Sequence, residues 1–106
     1  MDLSELHLAL LAEGIPRPTL EASAGYEWSN GPHEVYASHR HDYDKVLLCL
    51  DGEITFRLPE VDRAVTLTGG RRLDLPANTL HAAIVGAAGV RCYETHFPVG
   101  SLRRSA

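Results

Sequence analysis

Apolar residues recur along this chain in two rhythms, and the change from one to the other divides it. Between Asp2 and Glu13, Leu3, Leu6, Leu10 and Leu11 fall three and four residues apart, with Leu8 slightly off that stripe. This is the spacing of one helix face. Asp2 or Ser4 can cap its start and Gly14 can end it. The pattern predicts a short amphipathic α-helix over 1–14, and Pro16 and Pro18 then impose an extended connection. From Gly25 onward the rhythm is alternation. Ile54, Phe56 and Leu58 oppose Glu53, Thr55 and Arg57, and Leu73 and Leu75 oppose Arg72 and Asp74. Strand-like segments fall at 26–28, 34–38, 45–50, 53–58, 64–68, 72–75, 81–85 and 90–97. Turn residues lie between them at Ser29-Asn30-Gly31-Pro32, Asp51-Gly52, Gly69-Gly70 and Gly86-Ala87-Ala88-Gly89. Asp-Gly between two apolar strands predicts a hairpin. About eight short strands at even spacing predict an all-β sandwich or barrel, jelly-roll topology among the candidates. The expected domain runs over 25–98, with a tail over 99–106.

One run breaks the alternation. Val46-Leu47-Leu48-Cys49-Leu50 is apolar on both faces. One face fills the barrel and the other needs a cover, which the N-terminal helix or a second subunit could supply. Symmetric pairs are the commonest oligomers, so the expectation is a homodimer that buries one face of this strand.

Length and charge narrow the function. A chain of 106 residues fits one domain with an ordinary core. A net charge of −4, with Arg71-Arg72 and Arg103-Arg104 as isolated pairs, gives no footprint for nucleic acid. No apolar stretch approaches the roughly 20 residues of a membrane span. Asp2 and Glu5 near the N-terminus, without a basic region, argue against a secretory leader. Cys49 and Cys92 sit in apolar runs and read as buried reduced thiols. These features together predict a cytoplasmic protein that binds neither nucleic acid nor membrane.

The chemistry is carried by histidines. His39 and His41 are two residues apart, so within a strand they would share a face. His81 follows the turn Pro76-Ala77-Asn78 after a later strand. An isolated histidine is ordinarily a surface or satisfied core residue. Three imidazoles converging from two strands can instead hold one divalent transition metal with positions left open. Tyr36, Trp28 and Phe56 read as core or as pocket lining. Glu94 and His96 share a face of the last strand, where an exposed edge is the plainer reading and a pocket rim the sharper one. His33 is a candidate fourth nitrogen ligand, and His7 reads as surface. No G-x-S-x-G, phosphate-cradling glycine loop or Cys-x-x-Cys is present.

The spacing resembles that of the cupins. His39-Arg40-His41, three residues, Lys45 and then six residues to Gly52 is similar to their first motif, H-x-H-x(3,4)-E-x(6)-G. Gly70, five residues, Pro76-Ala77-Asn78, two residues and His81 is similar to their second, G-x(5)-P-x-G-x(2)-H. The resemblance covers roughly 33–97. It implies a double-stranded β-helix barrel, with His39, His41 and His81 as metal ligands and Zn, Fe, Ni or Cu as the metal. The departures are specific. Lys45 stands at the usual carboxylate ligand, Asn78 at the turn glycine, Val85 at a frequent final Asn, and His33 where the first motif often begins with Gly.

Lys45 changes the chemistry most, because an ammonium has no lone pair to give a metal. Three readings are open. Lys45 faces solvent and Asp44 supplies the ligand; Lys45 binds an anion in the pocket; or the site has lost its metal. The expected function is a metal-binding cupin for a small, anionic molecule, with Lys45, Tyr36 and Phe56 in the substrate pocket. Such a site suits a three-His metalloenzyme of dioxygenase, isomerase or lyase type. The alternative is a non-catalytic binding or sensing module, with or without metal.

Overall fold

The structure is a computed structural model that describes residues 25–101. The expected helix over 1–14 and most of the tail lie outside the described residues. The described residues form six strands: β1 (Gly25–Asn30), β2 (Val35–His39), β3 (Asp44–Leu58), β4 (Arg63–Thr68), β5 (Arg72–Leu75) and β6 (His81–Phe97). A 3₁₀ turn, Pro59–Val61, joins β3 to β4.

The eight expected strands become six because two pairs of them are continuous. β3 runs through Asp51-Gly52 and β6 runs through Gly86–Gly89. The Asp51-Gly52 hairpin expected from sequence is therefore corrected. β3 and β6 pair antiparallel from Asp44↔Phe97 to Arg57↔Ala82, with register shifts between Cys49 and Asp51 and between Gly52 and Ile54. Extra residues of this kind bend and twist a strand without ending it. Gly52 and Gly89 both take a left-handed φ, 80° and 78°. A Cβ on Gly52 would collide with the backbone carbonyl of Gly89, so the two long strands cross where only glycine permits the approach.

Each long strand serves two sheets. The first half of β3 lies between β5 and the second half of β6, which pairs onward with β1. The second half of β3 lies between β4 and the first half of β6, which pairs onward with β2. This is a double-stranded β-helix. Leu47, Cys49, Ile54, Phe56, Leu67, Leu73, Val85 and Cys92 fill the space between the sheets. Fully burying a side chain such as Leu47 or Ile54 contributes about 1.5–3 kcal/mol. Cys49 and Cys92 are buried, reduced and directly opposed across β3 and β6.

Part of the outward face of the first sheet is also buried. Val46 is 0% exposed, and its register partners Thr95 and Asp74 are 1% and 2% exposed. Arg72, beside Asp74 on this face, donates from Nε and Nη2 to the Asp74 carboxylate at 2.8 Å each. The cover that the doubly apolar run calls for is thus present over Val46 within a single chain.

Candidate metal centre

β2 and β6 set the site. His39 closes β2 and His81 opens β6, and the two are register partners. His41 lies just beyond the end of β2, so the same-face argument for His39 and His41 does not hold as a strand argument. Backbone bonding places His41 instead. Its carbonyl accepts a 2.7 Å hydrogen bond from the Asn78 amide, tying the loop after β2 to the turn before β6. Arg40 reinforces this tie, donating to the Asn78 carbonyl at 2.9 Å and to Glu60 at 2.6 Å. Asn78 has φ 67° and His33 has φ 64°, so both residues that replace motif glycines adopt the left-handed conformation.

The three rings converge. Centroids lie 4.3 Å apart for His39 and His81, 4.7 Å for His39 and His41, and 5.1 Å for His41 and His81. Their candidate ligand nitrogens all lie within 4.8 Å of one another. Ligand nitrogens sharing one tetrahedral ion at about 2.1 Å lie about 3.4 Å apart, so the rings would have to draw together to hold one. His39 donates from Nδ1 to the Ala37 carbonyl at 2.7 Å, and His81 from Nδ1 to the Thr79 carbonyl at 2.9 Å. A carbonyl can only accept, so each ring keeps its Nε2 lone pair free, the arrangement that orients metal-binding histidines. Nε2 of His41 and Nε2 of His81 are buried without a hydrogen-bond partner among the described residues. Burial lowers the His41 pKa to about 4, with Lys45, His81 and His39 adding to the effect against Glu94. Burial likewise lowers that of His81, outweighing its bond to Thr79. Both rings are therefore neutral at pH 7. Two buried, neutral imidazole nitrogens without a partner among the described residues fit the donor set of a divalent transition metal.

Lys45 points into the pocket, on the same strand face as Leu47 and Cys49. Its ammonium lies 3.4 Å from Glu94, with side chains 12% and 6% exposed. Asp44 points away, and its Oδ1 accepts the Ala77 amide at 2.7 Å. Of the three readings of Lys45, the one that makes Asp44 the shifted ligand is therefore removed; Asp44 holds the turn before β6. His33 is exposed and lies outside both the ring cluster and the pocket.

Of the two sequence readings of Glu94, the structure favours the pocket over the plainer exposed edge. It is 5% exposed, not an exposed edge residue. Tyr26 Oη donates to its Oε2 at 2.7 Å, His96 Nε2 lies 2.6 Å from the same oxygen, and Trp28 Nε1 donates to Oε1 at 3.1 Å. Burial would raise its pKa, but bonds from Tyr26 and His96 and the charge of Lys45 outweigh that and hold it below the usual range. The same contact and burial push the Tyr26 phenol well up. The signal was parity: Glu94 shares a strand face with Cys92, and Cys92 belongs to the core.

The histidines open on a cavity of about 490 Å³. Lys45, Tyr36 and Phe56 line it, as do Trp28, Tyr43 and Glu94. Tyr43 stacks between His41 and His96, at 4.8 and 4.1 Å between centroids.

Neither a protein-family model nor a curated protein matches the sequence. Solved structures do match. A cupin superfamily protein from Desulfitobacterium hafniense DCB-2 aligns with a TM-score of 0.61 and 21% identity, over 68% of this chain and 63% of that one. A cupin domain from Bordetella pertussis Tohama I aligns with a TM-score of 0.52 and 26% identity, over 64% and 73%. KdgF from Halomonas sp. aligns with a TM-score of 0.53 and 18% identity, over 64% and 63%. The alignment thus spans less than two thirds of the first and third of these chains. These likenesses show the fold, and the fold is that of the cupins.

Proposed function

We propose that this protein is a metal-binding cupin in which His39, His41 and His81 hold one divalent transition metal at the base of a pocket for a small anionic molecule. The observation that carries the reading is the pair of buried Nε2 atoms on His41 and His81, neutral and without a partner among the described residues. Three imidazoles leave open positions, and a bound ion would supply Lewis acidity there. Lys45 adds positive charge beside the site, which suits an anionic ligand better than a neutral one. Such a centre accommodates three-His dioxygenase, isomerase or lyase chemistry. Trp28, Tyr36 and Phe56 supply apolar wall for the body of the ligand. The reading that favours a non-catalytic binding module rests on Lys45 at the carboxylate position, which weakens hold on a dication.

Metal uptake tests the proposal. Untagged protein grown with Zn, Fe and Ni should carry one metal per chain, and His81→Ala should lose it. Zinc at a hundred times its Kd should also stabilise the fold by about 2.7 kcal/mol against urea. Substoichiometric metal that His81→Ala leaves unchanged would sink the metal reading. No helix among the described residues is long and apolar enough to cross a membrane. Homodimerisation is proposed with it. Val46 is fully buried within one chain, so such a pair would use the half-buried Leu48 and Leu50 on that face.

A further inference from the structure

Two features of the Lys45–Glu94 pair are unequal. Glu94 is well served without Lys45: Tyr26 and His96 hold Oε2 at 2.7 and 2.6 Å, and Trp28 donates to Oε1 at 3.1 Å. Lys45 is poorly served. An ammonium offers three donors. Among the described residues its one polar partner is Glu94, at 3.4 Å, longer than the 2.7–2.9 Å of a tight charge-assisted bond. A cation that is 12% exposed, lines a cavity and has donor capacity to spare is a docking point for a negative group.

We propose that Lys45 docks a carboxylate on the ligand of this pocket, and that Glu94 competes with that carboxylate for the Lys45 ammonium. The ligand class is a small monocarboxylic acid with an apolar, planar body. The carboxylate meets Lys45, and the body lies along Trp28, Tyr36 and Phe56. Glu94 sets the threshold. Its negative charge neutralises Lys45 without a ligand and repels the arriving carboxylate. Its hold by Tyr26, Trp28 and His96 keeps it from closing fully on Lys45. Glu94 is a specificity residue acting through Lys45. The inference rests on the reading of this cavity as a small-molecule site, and not on the metal.

Trp28 is the chain's single tryptophan and lines the cavity, so its fluorescence reports occupancy. The experiment titrates protein stripped of metal by chelator with benzoate, and with benzamide as its neutral counterpart. Wild-type protein should prefer benzoate by about tenfold, the worth of one charge-assisted hydrogen bond. Lys45→Met should abolish the preference. Glu94→Gln keeps one acceptor oxygen for Trp28 and turns an amide NH2 towards Tyr26, whose hydroxyl can accept from it, while it removes the competing charge, so it should tighten benzoate severalfold. Tyr26→Phe frees one side of Glu94 to lean on Lys45 and should weaken benzoate; it reads the same competition if Glu94→Gln fails to fold. A merely structural role for Glu94 predicts weaker binding in every variant. Equal binding of benzoate and benzamide by wild type, or weaker benzoate binding in a folded Glu94→Gln variant, overturns the inference and leaves the metal reading standing. No response to either compound overturns the small-molecule reading of the cavity and the inference with it.

Discussion

Replacing Lys45 with glutamate restores the residue that cupins place there, and here it does so against a second carboxylate. Lys45 and Glu94 are 3.4 Å apart and nearly buried. At that separation, with an effective dielectric near 20, unit charges interact by about 5 kcal/mol. The substitution exchanges attraction for repulsion of that order. Protonation limits the penalty: one of two carboxylates this close takes up a proton. Raising a carboxyl pKa from about 4.3 to 7 costs about 4 kcal/mol, at 1.36 kcal/mol per unit. Metal-free Lys45→Glu should therefore lose about 3–4 kcal/mol of stability, a large share of the roughly 5–15 kcal/mol a domain possesses. A dication between the two carboxylates reverses the sign. Zinc affinity should rise by about 10–100-fold, the range in which groups around a metal tune its binding. Urea unfolding of the metal-free protein measures the first effect and competition against a chelator the second. Unchanged or weaker zinc binding in a destabilised variant would refute the reasoning, because it would mean that the new carboxylate repels Glu94 without reaching the metal.

Acid should destabilise the metal-free protein. The folded-state pKa of His41 lies at about 4, below the ordinary 6.5, so the unfolded chain binds the extra proton between those values. Stability is then complete above pH 6.5 and declines as pH falls towards 4; a urea midpoint that rises on going from pH 7.5 to 5 would contradict this, and His41→Ala should flatten the decline. Asp74→Ala strands the 4% exposed Arg72 without its carboxylate and should cost about 3–5 kcal/mol by urea unfolding. The double change Arg72→Met with Asp74→Leu should recover most of that loss, since neither charge then needs desolvating. Light scattering at micromolar concentration should return twice the chain mass of 11.6 kDa, and a clean monomer mass would overturn the proposed dimer.

Strand positions were legible because alternation reports directly on one-sided burial, as at Ile54, Phe56 and Leu67. Strand continuity was not. Asp51-Gly52 has the chemistry of a two-residue turn, and local sequence cannot tell a chain that reverses from one that bends and goes on. The difference lies in Val90 and its neighbours, which pair with Gly52 from a distant part of the chain. His39, His41 and His81 were legible as a set from motif spacing, but the way His41 reaches the cluster, through a long-range backbone bond from Asn78, was not. Lys45 and Glu94 were harder still. The identity of each residue is plain, yet that they meet depends on the register Lys45↔His96 between the start of β3 and the end of β6.

The register of the two long strands also governs the order in which the molecule can assemble. β3 and β4 join through four residues, so Leu58 and Arg63 meet at little cost in chain entropy. Pairing of Arg57 with Ala82 closes a longer loop, that of His39 with His81 a longer one again, and that of Asp44 with Phe97 the longest of these. Pairings between distant segments are slow to form, because their entropy is lost before contacts reward it. The histidines therefore come together late, after the β3–β4 hairpin has provided a template. The unfolded chain holds no preassembled triad, so capture of the proposed metal would be coupled to closure of the distant strands. Followed in time during refolding, the appearance of a tight metal site would mark the late closure of the barrel, whereas strand signal alone would register the earlier hairpin.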